Sequence, residues 1–335
     1  MDKNNNSKLN NADKRIIAAI ETDARTSIAE LAKRAKVSRT VAEYRLRKLE
    51  DGGVVRGYYC LLDPSRFGYT VWKLWISIRA GAEEKHNFFQ YVEKHPRIWW
   101  YAECAGVYDA VLCVLARTPH EFNKFFNHLQ DRFGKGITDS AILINVSFEY
   151  HTRGYLLNKH SHLIRSSFQE DAKARSINPN TLGILQHLSL NSRMSLVELH
   201  MKTGKNVKTI KNAISELKSS GVIVYFRPSV DTTKLGVDFY KVLIYIHNSI
   251  GGIIPSIASW CRAQKNITAI IFCVGPWQLE LEVEIDTFRN LSMMLKELKD
   301  KFPDVVKHHE TLLVTKEGNF ELDLINRLKR IEKET

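Results

Sequence analysis

Two short stretches of this sequence carry side chains suited to binding an anion. The first is Ser38-Arg39-Thr40, followed by Tyr44 and Arg47. The second is Lys205-Asn206, followed by Lys208, Lys211 and Asn212. Each opens a segment of helical periodicity. Ala42, Leu46 and Leu49 in one, and Ile210, Ile214 and Leu217 in the other, recur at the spacing of a single packed face. The charged and hydrogen-bonding residues are left on the opposite face. A helix that packs on one side and shows Arg, Lys, Asn and hydroxyl groups on the other is what the major groove of DNA admits. At its N-terminus, where Ser38 and Asn206 stand, backbone N–H groups and the helix dipole favour phosphate. Arg39 and Arg47 suit guanine or phosphate equally. The outward residues of the two helices differ, so different half-sites are expected. The competing reading of any one such residue is a solvated helix face, and the choice depends on how the helices are mounted.

Other chemistries find little support. There is no Gly-rich phosphate loop, metal-ligand cluster or Ser/His/Asp constellation, so no catalytic residue, metal or cofactor is assigned. The five cysteines (Cys60, Cys104, Cys113, Cys261, Cys273) are odd in number and form no C-x-x-C pair. They are expected to be buried thiols of a cytoplasmic protein. No apolar run approaches the ~20 residues of a membrane span, and the polar start from Met1 to Ser7 predicts no signal peptide. No membrane partner is expected.

The elements that mount the two helices emerge from an internal repeat. Arg25-Thr26-Ser27-Ile28-Ala29-Glu30-Leu31 matches Arg193-Met194-Ser195-Leu196-Val197-Glu198-Leu199 at an offset of 168. Gly53-Val54-Val55 matches Gly221-Val222-Ile223 at the same offset, and Cys104-Ala105-Gly106 matches Cys273-Val274-Gly275 at 169. In each copy the texture changes halfway. Residues 13–53 predict three helices, with Ser27 and Ser38 as N-caps and Glu30 completing a capping box. An extended segment at 54–62 and a turn at Asp63-Pro64-Ser65 predict a short hairpin. Residues 71–150 then read β-α-β-β-α-β, the ferredoxin-like plan, and 239–315 repeat it. The fold class expected is α+β, a tandem repeat of a helical module and a ferredoxin-like one. Phe122, Phe125, Phe126, Trp72, Trp75, Trp99 and Trp100 are expected in the core or at the sheet interface.

Charge follows the same division. Of the net +12, residues 1–70 and 161–228 hold +11, while the two ferredoxin-like stretches are nearly neutral. A doubled helix pair bearing almost all the excess charge favours double-stranded DNA as partner.

Residues 25–34, Val37-Ser38 and Arg45-Leu46-Arg47-Lys48-Leu49-Glu50-Asp51-Gly52-Gly53-Val54-Val55 resemble the winged helix-turn-helix of the Lrp/AsnC (feast/famine) transcriptional regulators. Gly57-Tyr58-Tyr59 and Asp63-Pro64 resemble that family's link to its effector domain, and Gly106-Val107-Tyr108-Asp109 its glycine–aromatic–Asp loop. The resemblance implies sequence-specific DNA binding, dimerisation through the sheets and a small effector such as an amino acid. By resemblance alone, Gly106, Tyr108 and Asp109 are the effector candidates. The second copy has Gln278 in place of the Asp, so one or both sites are open to being vacant. Ordinary members carry one copy; a fused pair implies an intrachain pseudo-dimer, with further homo-oligomers open.

The division expected is winged helix-turn-helix 8–66, ferredoxin-like domain 69–150, linker 151–176, second winged helix-turn-helix 177–235, second ferredoxin-like domain 237–318, and a tail or helix 319–335. The alternative is a siroheme decarboxylase-like enzyme, which resembles the same two-domain plan. Its anionic tetrapyrrole calls for a His- and Arg-rich strand, and Ile98-Trp99-Trp100-Tyr101-Ala102-Glu103-Cys104 has neither residue. A non-enzymatic regulator is therefore the reading preferred.

Overall fold

A computed structural model describes residues 9–167, 174, 177–247, 252–318 and 324–334. The first repeat runs α1 (Asn11–Thr22), α2 (Ile28–Ala35), α3 (Arg39–Asp51), β1 (Val55–Leu62), β2 (Thr70–Ile78), α4 (Ala82–Lys94), β3 (Ile98–Ala105), β4 (Ala110–Ala116), α5 (Pro119–Phe133) and β5 (Ile137–His151). A 3-10 turn at Gly154–Leu157 and β6 (Leu163–Ser167) follow, within the stretch expected as linker. Residues 168–173 and 175–176 of that stretch lie outside the described residues.

The second repeat runs α6 (Pro179–Leu190), α7 (Leu196–Thr203), α8 (Val207–Ser219), β7 (Ile223–Val230), a single turn α9 (Thr232–Leu235), β8 (Asp238–Ile246), α10 (Ile253–Arg262), β9 (Ile267–Val274), β10 (Leu279–Ile285), α11 (Phe288–Lys301) and β11 (Val306–Glu317). Helix α12 (Leu324–Glu334) comes last, and its Arg327 donates to the carbonyls of His95 and Ile98.

The helix starts are set by their caps. Ser27 Oγ accepts from Glu30 N, and Ser195 and Glu198 cap each other reciprocally. The turn between the second and third helices needs a left-handed residue. Gly204 fills it in the second repeat at φ 67°, whereas Lys36 fills it in the first at φ 55°.

One local expectation fails. β1 forms no hairpin in its own repeat but pairs antiparallel with β7 of the other. The reason lies in the turn: Asp63 Oδ1 accepts from Ser65 N and starts a 3-10 turn that sends the chain into β2 of the other sheet. The strand edge that β1 meets is β7. The pairing is nearly self-complementary. Val55↔Val230 is mirrored by Leu62↔Ile223, and Tyr59↔Arg227 maps onto itself at the offset of 168. An approximate twofold axis therefore passes through the Tyr59–Arg227 pair.

Each ferredoxin-like half has the strand order expected of that fold, β5-β2-β4-β3 and β11-β8-β10-β9. The halves join at both edges, β3 to β11 and β9 to β5, so eight strands close into a ring. These junctions obey the same axis: Leu313↔Ala105 is mirrored by Ile144↔Val274, and Val314↔Cys104 by Asn145↔Cys273.

Helices cover the outside of the ring. Phe88, Val92, Phe125 and Leu129 pack on Leu74, Leu112 and Val114; Ile257, Leu291, Leu295 and Leu298 pack on Val242, Leu281 and Val283. Full burial of such a side chain contributes about 1.5–3 kcal/mol. Trp75, Trp99 and Trp100 are buried toward the interior, and Trp72 stacks on Phe122.

The interior is not uniformly apolar. From β10, Glu280 pairs with Lys73 and accepts from the indoles of Trp75 (3.1 Å) and Trp277 (3.0 Å). Glu282 pairs with Lys241. Glu284 accepts from Arg153 at 2.7 and 2.8 Å, and Arg153 also reaches Glu21 of α1 at 2.7 Å. All five cysteines are buried and unbridged. Burial raises their thiols, to about 11 for Cys113 and about 12 for Cys104, so they are poor nucleophiles.

Candidate nucleic-acid interface

Helix α3 is held by Ala42, Leu46 and Leu49, all buried, while Arg39, Thr40, Tyr44 and Arg47 are exposed. Ser38 is its N-cap and accepts from Val41 N at 3.3 Å, leaving the first backbone N–H groups at an open end. Tyr44 is 63% exposed. Arg47 lies 4.0 Å from Glu43, one turn away, with both side chains mostly exposed; such a pair contributes little and yields readily to a phosphate.

Helix α8 is built alike. Ile210, Ala213 and Leu217 are buried, and Ile214 is half-buried. Lys208, Lys211 and Asn212 are exposed, and Asn206 is the N-cap, accepting from Thr209 N at 2.8 Å. Lys205 is half-buried, and its carbonyl accepts from His200 Nδ1 at 2.8 Å.

A reciprocal clasp holds the two helical modules together. Arg25 Nη1 donates to the carbonyls of Ser192 and Met194, and Arg193 Nη1 donates to those of Ala24 and Thr26. Ala24 N donates to Phe226 O at 2.9 Å, and Ser192 N to Tyr58 O at 3.0 Å. Each first helix also packs on the other module's strand, α1 on β7 and α6 on β1. Both modules are thus fixed to the β1–β7 ribbon, and α3 and α8 are related by its axis. Arg25 and Arg193 appear in the sequence only as matching letters of the repeat. Their coincidence at the offset was the available signal for this role.

The three effector candidates come together at the far end of the ring. Gly106, at φ 155°, lies against the backbone of Thr311 and Leu312, where a Cβ would crowd. Tyr108 is buried between Trp75 and Trp277, its ring 5.7 and 6.2 Å from theirs. Asp109 is occupied by its own chain: Oδ2 accepts from Ile78 N at 2.7 Å and Oδ1 pairs with Lys85 at 2.9 Å. Gln278 does the same backbone work in the second repeat, its Oε1 accepting from Ile246 N at 2.9 Å. The replacement of Asp by Gln therefore preserves a strand-end acceptor.

A separate cavity of about 1100 Å³, including its open mouth, lies between the β1–β7 ribbon and the inside of the ring. Its walls include Tyr59, Trp99, Trp100, Asn145, Arg227 and Lys241. No cluster of His, Cys, Asp and Glu that could hold a metal occurs among the described residues. No helix among them is long and apolar enough to cross a membrane.

Comparison with known proteins fits this geometry at the N-terminus. Residues 9–56 match the family model for winged helix-turn-helix DNA-binding domains. The HTH-type transcriptional regulator FL11 of Pyrococcus horikoshii is 26% identical over 141 residues, 42% of this chain and 93% of that protein. AldR of Mycolicibacterium smegmatis, also an HTH-type transcriptional regulator, is 29% identical over 119 residues, 35% of this chain and 70% of that one. The glutamate uptake regulatory protein of Zymomonas mobilis is 27% identical over 148 residues, 43% and 88% of the two chains. Across the whole chain, the solved structure of the siroheme decarboxylase NirDL superposes with a TM-score of 0.63, covering 97% of this chain and 98% of that one at 12% identity. That is a likeness of fold. Taken together, the capped helix pair, the model match and the aligned relatives make residues 9–56 a winged helix-turn-helix DNA-binding module, in a part of the chain that is similar to HTH-type transcriptional regulators.

Proposed function

We propose that the protein is a sequence-specific DNA-binding transcriptional regulator whose two helix-turn-helix modules address two half-sites about one axis. The observation that carries this reading is the pair of capped, outward-facing basic helices mounted on a single twofold ribbon. Ser38, Arg39, Thr40, Tyr44 and Arg47 would meet one half-site, and Lys205, Asn206, Lys208, Lys211 and Asn212 the other. Because these sets differ, the preferred operator is an imperfect palindrome. Charge reversal of Arg39 with Arg47, and of Lys208 with Lys211, tests the assignment in gel-shift titrations over a range of salt. Each lost phosphate contact lowers the slope of log affinity against log salt by about 1. An unchanged affinity and slope in both double variants would remove these helices from the interface.

The second reading, a decarboxylase acting on siroheme, draws on the whole-chain likeness of fold to NirDL. Among the described residues no histidine lines the cavity under the ribbon; its titratable walls are tyrosine, cysteine, lysine, arginine and glutamate side chains. A Soret band that shifts on adding protein to iron uroporphyrin, with loss of carbon dioxide from siroheme, would establish this reading instead.

A further inference from the structure

A surface cleft of about 1290 Å³, including its open mouth, runs between α1 and the 3-10 turn at Gly154–Leu157. Its charged lining is of one sign: Lys14, Arg15, Arg34, Lys36 and Lys159, with no Asp or Glu among the lining residues. Like charges gathered on a concave wall focus their field and draw an anion. Most of these cations are uncommitted. Among the described residues, the ammonium groups of Lys14, Lys36 and Lys159 meet no acid and make no hydrogen bond. Arg15 is aimed by a single bond, Nε to Ala35 O at 2.7 Å, which leaves the terminal nitrogens of its fork without a partner among those residues. Arg34 is the exception: it pairs with Glu30 at 2.9 Å, with both side chains 44% exposed, a contact that an incoming anion replaces at little cost.

The place of the cleft names the anion. Lys36 is the left-handed turn residue between α2 and α3, two residues before the N-cap Ser38, so one lip continues into the end of the outward-facing helix. Lys159 stands on the other lip, beyond a turn that Tyr155 N fixes to Lys265 O of the second half. The other repeat has no such cleft. At the offset of 168, Lys14, Arg15 and Lys36 become Leu182, Gly183 and Gly204, and α12 packs on α6 there, with Leu182, Ile325 and Leu328 at the contact. The helical module therefore folds without these cations, and their presence in the first repeat has another reason.

We propose that this cleft seats DNA backbone phosphates just beyond the half-site that α3 faces, so that the chain grips one flank of its operator and not the other. The proposal rests on the DNA-binding reading. Lysine and arginine contacts to phosphate carry no base preference; they set position and direction. The one-sided grip orients the chain on an operator whose two half-sites it would otherwise meet nearly alike.

The test uses the full chain and a duplex that it recovers from a random-sequence pool. The double variant Lys14→Gln with Lys159→Gln should lower the slope of log affinity against log salt by about 2 and weaken binding about tenfold. Its urea midpoint should match the parent's, since neither ammonium holds the fold. A matched control, Lys124→Gln with Lys135→Gln, removes the same charge from outside the cleft and should leave the slope unchanged. Hydroxyl-radical footprints of the parent should run further on one flank than on the other, and trimming that flank should weaken the parent but not the double variant. An unchanged slope in the double variant, an equal loss in the control, or a symmetric footprint would each overturn the flank grip while leaving the regulator reading in place. So would calorimetric binding of inorganic triphosphate, abolished in the double variant, without any effect of flank length: the cleft would then hold a soluble anion. A parent that recovers no duplex at all overturns both.

Discussion

Strands β4 and β10 occupy the same place in the two repeats and solve it differently. Toward the helices both are apolar: Ala110, Leu112 and Val114 in β4, Leu279, Leu281 and Val283 in β10. Toward the interior of the ring β4 presents Val111, Cys113 and Leu115, but β10 presents Glu280, Glu282 and Glu284. The first half thus contributes a dry wall and the second a row of carboxylates. Two of their three cations, Lys73 and Arg153, come from the first half. Buried pairs of this kind add little net stability, because desolvation offsets much of the attraction. What they add is discrimination: a slipped or swapped pairing of the halves would strand a charge in the interior.

The largest effect expected of breaking this contrast is at Glu280. Glu280→Leu makes β10 resemble β4 but leaves the Lys73 ammonium and two indole N–H groups without their acceptor; a loss of about 3–5 kcal/mol in urea unfolding is expected. Adding Lys73→Met should restore most of it. If the single variant is as stable as the parent, the carboxylate row does not hold the halves together.

Smaller, at about 1.5–3 kcal/mol, is the cost of Arg25→Ala, which opens one arm of the clasp between helical modules. Arg193→Ala should cost about the same, and a large difference between the two would show that the clasp is not symmetric in energy.

The junction between the halves has an acid response of its own, at Glu149 of β5, which meets Arg262 of α10. Burial works against ionisation of Glu149, but hydrogen bonds from His151 and Arg262 outweigh it and hold the carboxyl at about 2. A depressed folded value gives stability that is present above the ordinary carboxylate range, about 4.5, and is lost as pH falls toward 2. Unfolding midpoints measured between pH 5 and 2 should therefore fall less steeply in Glu149→Gln than in the parent.

The smallest effect is at the helix-turn-helix turn. Lys36→Gly should stabilise the first module by up to ~1 kcal/mol and Gly204→Lys should destabilise the second by ~1 kcal/mol, since only glycine holds a left-handed backbone without cost. Paired thermal melts would check the signs.

Much of this was legible in the residues. The repeat, the three-helix module, the β-α-β-β-α-β order and the outward faces of α3 and α8 follow from spacing and caps, which are local. What escaped was long-range. Leu279-Glu280-Leu281-Glu282-Val283-Glu284-Ile285 alternates as a strand with one wet face does, and only closure of the ring turns that face inward. Near-neutral charge in these modules concealed cations and carboxylates that cancel in the sum while standing apart in space. The hairpin predicted after α3 failed for the same reason: periodicity names a strand but not its neighbour, and β1 found its neighbour 168 residues away. Asp109 was singled out by resemblance alone; in the fold its carboxylate accepts from the Ile78 amide and pairs with Lys85, contacts that no local pattern in the sequence announces.

The ribbon pair on the axis has one more consequence. In an assembly of identical subunits, whatever residue stands on the twofold axis must face its own copy, and two arginines there would repel. A single chain is free of that rule. Tyr59 can face Arg227, ring against guanidinium, and the most central position of the molecule can hold two different functional groups. Fusion of the halves gives the protein a heterodimer's choice of chemistry at the one point where a homodimer has none.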